Sequence, residues 1–309
     1  MRAFAIFVGL IGLGLAGIAL LGYPAWLLIS PFLDNPKFHR ISSRVGMFLL
    51  TIGFVFAVRY LKIADRQSLG FGLPTGRFIA EVFKALALGI VLMMPALVTM
   101  ILLDMLTLDG APANPVQWLR LCLSGIITGL TIALIEETFL RGAMQYAITR
   151  ESGARIAIVL TSLLYAALHF IGRYRVHAAD VHPGSGIDLL SYSLADFARP
   201  MYFVDAFACL FAVGILLGMA RVHTGNIAAS IGLHAGWVAV IYVVRDATDR
   251  DTRNPLSWML SNFDGFIGWM VLAWTLLIGL VLYLVAVRRR AVLPGRKWCR
   301  GEASEVARD

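Results

Sequence analysis

Long uncharged runs separated by short polar joints make up most of this chain. Crossing a hydrocarbon layer of roughly 30 Å takes about 20 helical residues, and the sequence offers eight candidates. The first lies within 3–33, too long for one straight span, with Gly22 and Pro24 as the expected break. The others are 45–61, 85–103 with Pro95 at its middle, a run from near Leu119 past Arg141, 156–171, 203–220, 227–244 and 265–287. The opening run has no small-x-small cleavage site and reads as a retained helix rather than a signal peptide. The longest polar stretch, 172–202, reads as a loop. No repeat of 20–50 residues is evident. The pattern predicts an all-α, polytopic integral membrane helix bundle of about eight transmembrane helices.

Composition agrees. Of 309 residues, 59% are apolar and 15% charged, against roughly 45–50% and 25% in soluble proteins. Mean hydropathy is +0.77. A soluble globule cannot hide that much apolar surface. The three cysteines, Cys122, Cys209 and Cys299, have no metal-type spacing. The net charge of +8 does not point to nucleic acid, because the bases punctuate the ends of apolar runs instead of gathering on one segment. Most of the 27 Lys and Arg fall on one side if Arg288, Arg289 and Arg290 face inward. By the positive-inside rule this puts both termini in the cytoplasm. Lys37, Arg40 and Arg44, on the first outer loop, dissent.

Ionisable groups inside the spans are costly unless they pair or face water. Three places carry them: Ile135-Glu136-Glu137-Thr138-Phe139-Leu140-Arg141, Tyr165-Ala166-Ala167-Leu168-His169, and His234-Ala235-Gly236-Trp237-Val238. Glu137 and Arg141 are i, i+4 in the favourable acid-first order, while Glu136 points about 100° away. The pair explains Glu137 and leaves Glu136 to face something else. Positions 136 and 169 are equidistant from the joint at 151–155, so in an antiparallel hairpin they share one depth. His234, just past another inner joint, can reach the same half of the bilayer. A carboxylate and two imidazoles sheltered from bulk water form a constellation for chemistry on water. The same set, Glu136, His169 and His234, is also a catalytic zinc set. Residue types alone do not separate metal-activated from carboxylate-activated water.

These segments resemble the signature of the type II CAAX prenyl endopeptidase (CAAX prenyl protease 2) and bacteriocin-processing family of intramembrane proteases. That pattern is Glu-Glu-x-x-x-Arg, Phe-x-x-x-His and His-x-x-x-Asn on separate helices. Glu136, Glu137 and Arg141 complete the first motif. Tyr165 and His169 give the second with one aromatic exchanged for another. His234 begins the third, which ends on Val238, a side chain unable to donate a hydrogen bond. The resemblance covers about 118–245, so the chain divides into N-terminal helices 1–117, a protease-like core 118–245, and 246–309 with the last helix and a basic cytoplasmic tail.

The resemblance implies proteolysis near the inner face of a bacterial inner (cell) membrane, on a membrane-associated or lipid-modified protein or peptide. Glu136 would activate water, with His169 and His234 supporting the oxyanion and Glu137 and Arg141 completing the site. Zinc is the one cofactor it allows. Membrane lipids are partners; nucleic acid is not. Two other readings stay open: a proton-coupled transporter using Glu and His as a relay, and a non-catalytic immunity or scaffold protein, which Val238 favours. His177, Asp180 and His182 in the outer loop look like a small metal site but read as solvated. Tyr165 reads as packing, and Gly125, Gly129, Gly214 and Gly218, spaced four apart, as close-packing positions.

Overall fold

A computed structural model describes residues 1–171, 174–195, 197 and 199–292. The tail 293–309, with Cys299 and the last basic residues, lies outside them. Among the described residues ten α-helices follow one another: α1 Arg2–Ile29, α2 Phe38–Tyr60, α3 Thr75–Leu102, α4 Pro115–Glu137, α5 Gln145–Ser152, α6 Ala154–Leu168, α7 Ser185–Ala195, α8 Val204–Thr224, α9 Ala228–Ala247 and α10 Trp269–Val292. A π-helical turn, Thr138–Met144, joins α4 to α5 so that 115–152 is one rod. Two short strands, β1 Leu106–Thr107 and β2 Asp249–Arg250, pair antiparallel among the described residues.

The chain is an all-α, polytopic integral membrane protein. Six of its helical segments are long and apolar enough to cross a bilayer. Two shorter apolar helices, Ala154–Leu168 and Trp269–Leu284, coincide with the remaining two expected spans. Three sequence expectations change. Gly22 and Pro24 do not break α1: the helix runs through Pro24 and stops at Ile29, where Pro31 sits in a 3-10 turn. Gly22 is instead a contact point, where a Cβ would stand 3.1 Å from Ser42 of α2. Second, the span expected at 45–61 begins at Phe38 and is not short. Third, the loop 172–202 contains α7, which packs on α1 because its Leu189 has an apolar surface to bury there and Gly186 lets it sit on the Ala19 carbonyl, 2.5 Å from where a Cβ would be.

The centre of the bundle is α9, which packs against both α3 and α4. Its sequence explains why. Gly232 and Gly236 flank His234, and together with Gly89 of α3 they let two backbones meet. A Cβ on Gly236 would lie 2.5 Å from the Leu86 carbonyl oxygen, and one on Gly89 2.7 Å from that of Leu233. On the opposite side Gly125 and Gly129 of α4 meet the carbonyls of Ala239 and Ala235. Small residues supply this close approach because lipid offers no hydrophobic drive for helices to associate. In α3, Pro95 lies inside the helix, and the Trp274 indole of α10 donates to the Leu92 carbonyl at 2.6 Å.

The remaining helices form a wall. α1 packs on α2, α6 on α8, and α8 on α10. The Met1 ammonium lies 2.7 Å from Glu151 Oε2, and the Ala3 amide also donates to that carboxylate, so the start of α1 is tied to the end of α5. The α1 N-terminus and the joint after α5 therefore share one side of the bundle. The packing predicts that Gly236→Val lowers stability by about 1–3 kcal/mol. Gly12→Ala, where a Cβ meets nothing within 4 Å, leaves it essentially unchanged. Thermal unfolding of both variants in detergent micelles measures the contrast.

Candidate active site

Glu136 and Glu137 are the last two residues of α4, directly before the π turn. Such turns widen the helix by one residue and recur at functional sites. Here Gly142 brings the turn against the Leu69 carbonyl, 2.8 Å from where a Cβ would be. The turn is fastened to α8 by two side chains. Arg141 donates to the Gly214 carbonyl at 3.3 Å, and Gln145 donates to that of Gly218 at 2.9 Å. Ser162 of α6 packs where a Cβ of Gly214 would be, so α8 is pinned from both flanks. The close-packing reading of the four glycines holds.

Arg141 and Glu137 are fully buried and joined, Nη1 to Oε1, at 2.9 Å. Sequence reasoning found that pair but not its third member. His234 Nδ1 lies 2.9 Å from the same Oε1. A carboxylate already holding a guanidinium accepts, so the imidazole donates through Nδ1–H. Glu137 is therefore not merely neutralised within its own helix; it fixes the ring of α9. In a low-dielectric interior a buried charge survives only in such company. The guanidinium also stacks over the Tyr165 ring, 4.7 Å from its centroid.

Glu136 turns the other way. Its Oε2 is enclosed, has no hydrogen-bond partner, and lies 3.9 Å from His234 Nε2. The side chain is 35% exposed, and it lines a cavity of about 630 Å³ between α1, α2, the acid-bearing end of α4, and α6. His169 lines the same cavity. It stands one residue past the end of α6, and its Nδ1 is 2.8 Å from the Tyr165 carbonyl oxygen. That carbonyl belongs to the last helical turn and lacks an intrahelical donor, so Nδ1–H donates to it and caps the helix. At 1.5 Å per residue the 15 residues of α6 span about 22 Å. A helix that short ends beside the cavity, so His169 and Glu136 line the same space.

Tyr165 stands between the two imidazoles, with ring centroids 4.5 Å from His169 and 5.7 Å from His234 and both contacts edge-to-face. His169, His234 and Arg141 thus gather around one ring, and the two acids join them through His234. Among the described residues no three His, Cys, Asp or Glu converge closely enough to hold a metal ion. The zinc reading of Glu136, His169 and His234 does not form a site in this arrangement, although carboxylate and carbonyl partners on Nδ1 are how zinc-bound histidines are commonly held. In the outer loop His182 accepts from the Gly184 amide and pairs with Asp188 at 2.9 Å, so its ring is occupied and no site with His177 and Asp180 forms. Trp237 packs away from His234, in a core with Met93 and Val240. The cavity wall contributed by α1 and α2, with Ile18, Gly46 and Phe54, had no signal beyond apolar character.

Residues 118–240 match the family described as Type II CAAX prenyl endopeptidase Rce1-like, a segment that carries both acids, Arg141 and both histidines. No curated protein and no solved structure matches the chain. The match covers the helices that carry the site and supports a CAAX-type intramembrane peptidase in general terms. The buried triad sets its own test. Arg141→Met strands the Glu137 carboxylate and is expected to cost about 3–5 kcal/mol, read by unfolding in detergent. Arg141→Lys fails to restore it, lacking the forked contact to Gly214 and the stacking on Tyr165. Glu137→Gln added to Arg141→Met recovers part of the loss.

Proposed function

We propose that this intramembrane peptidase cleaves a peptide bond of a membrane-associated or lipid-modified protein or peptide, using water activated by Glu136. The observation that carries the reading is the Glu136 carboxylate itself. It opens onto an apolar cavity, lacks any partner on Oε2, and sits 3.9 Å from an imidazole that a second acid holds in place. An unpaired acid at this depth is costly, and packing gives no reason for a second carboxylate beside Glu137.

Chemistry follows from the donors and acceptors present. A water between Glu136 and His234 gives its proton to Glu136 as its oxygen adds to the scissile carbonyl carbon. As the carbon–nitrogen bond breaks, Glu136 passes that proton to the leaving amine, so acid and amine products balance. His234, with Nδ1–H committed to Glu137, presents the Nε2 lone pair to the same water. His169, with Nδ1–H committed to the Tyr165 carbonyl, presents Nε2 to the cavity. The resemblance implies oxyanion support from both rings; held this way, a ring has an N–H left to give only when protonated. No step is routed through a metal.

The substrate's apolar part fits the cavity between α1, α2 and α4, whose walls are Leu, Ile, Met and Phe. The excess of Lys and Arg on the side of the α5–α6 joint supports placing that side, with both termini, in the cytoplasm of a bacterial cell. The core is then 118–245, with 1–117 supplying the cavity wall and 246–309 the closing helix.

Comparative proteomics of membranes carrying wild type or Glu136→Gln tests the assignment. Protein fragments present only with wild type are expected, with unfolding temperatures of the two proteins alike because Glu136 makes no protein hydrogen bond through Oε2. If fragments are absent in both, and Glu136→Gln still complements a deletion, the chain is a non-catalytic scaffold. Uptake into proteoliposomes that depends on Glu136 returns it to the transporter reading.

A further inference from the structure

Addition of water to a carbonyl puts negative charge on its oxygen, and that oxygen needs a donor. Around this cavity the side-chain donors are nearly all spent. His169 and His234 give their Nδ1–H groups to the Tyr165 carbonyl and to Glu137. The Thr138 hydroxyl donates to the Leu134 carbonyl and that of Thr51 to Met47. Arg141 is fully enclosed, its Nη groups committed to Glu137 and Gly214 and its unpaired Nε shut in the interior. Val238 has no polar group. Ser43 lies eleven residues before Phe54, the α2 ring that packs on Phe139 beside the acids, so it stands about 16 Å away along that helix.

Tyr165 is what remains. Its ring is 3% exposed and lines the cavity with Glu136 and His169. Among the described residues no hydrogen bond occupies its hydroxyl, and the side chain forms part of the cavity wall beside Glu136 and His169. The ring is held against rotation by both imidazole edges and by the guanidinium over its face.

We propose that Tyr165 is a further catalytic residue, whose hydroxyl donates a hydrogen bond to the scissile carbonyl oxygen as the tetrahedral intermediate forms. This rests on the hydrolase reading above. Where the resembled signature has Phe and Asn, this chain has Tyr165 and Val238; one exchange adds a donor and the other removes one.

The experiment compares wild type, Tyr165→Phe, Val238→Asn, Tyr165→Phe/Val238→Asn and Glu136→Gln on one lipid-modified reporter peptide in proteoliposomes. Tyr165→Phe keeps the ring and its contacts, so the unfolding temperature and KM stay near wild type while kcat falls about 10²–10³-fold. Adding Val238→Asn to Tyr165→Phe is expected to recover part of that loss, and Val238→Asn alone to change little. A Tyr165→Phe enzyme within about threefold of wild-type kcat, with Glu136-dependent cleavage intact, overturns the proposal and leaves the hydrolase reading standing. A fall in kcat accompanied by a lower unfolding temperature, with no recovery in the double variant, overturns it as well. Wild type without Glu136-dependent cleavage removes both.

Discussion

A charge in hydrocarbon has to be met by another charge or by water, and this constraint organises the protein around the Glu137 carboxylate. Arg141 meets it from one turn away, and His234 from a helix 97 residues further along the chain. Because the acid, the base and the imidazole share a single oxygen, α4, the π turn and α9 cannot shift independently. Arg141 and Gln145 carry the same constraint into α8 through two of its backbone carbonyls. The glycines of α9, α3 and α4 then serve a purpose beyond packing, since they bring the backbones near enough for a histidine to reach the acid. What looks like a local ion pair is the joint at which four helices are registered.

The second acid escapes this arrangement, and its freedom is a consequence of the first one's captivity. A helix turns by about 100° per residue, so fixing Glu137 inward toward Arg141 and His234 sends Glu136 to the cavity. Two adjacent carboxylates thereby acquire different roles from position alone. One is enclosed and structural; the other is poised beside an imidazole whose orientation the first has set.

Much of this was legible in the sequence, for identifiable reasons. Apolar run length gave the rods, because the bilayer fixes how long a span must be. The i, i+4 spacing gave the Glu137–Arg141 pair, and equal distance from the joint at 151–155 gave the shared depth of Glu136 and His169. The Glu137–His234 contact was hidden, since nothing local records which of two adjacent acids a distant histidine meets. The π turn was hidden too: its residues, Thr138 to Met144, are ordinary helix formers apart from Gly142. Pro24 misled because proline is a breaker in water, whereas membrane helices accommodate it. Helix α7 was missed because it is only 11 residues long and sits within a polar stretch. Tyr165 read as packing, which it is; only its placement between two rings with spent N–H groups raises a second role.

The brevity of α6 carries one more implication. About 22 Å of helix cannot cover a 30 Å layer, and the missing depth above His169 is filled by Phe170 stacked among Phe203, Phe207 and Phe263. A space of about 630 Å³ holds on the order of 20 water molecules at roughly 30 Å³ each, and a long hydrocarbon tail lodged there evicts most of them. Under the proposed function, hydrolysis in such a space is rationed by its own cargo: the better a tail fits, the fewer solvent molecules remain to attack the bond it delivers.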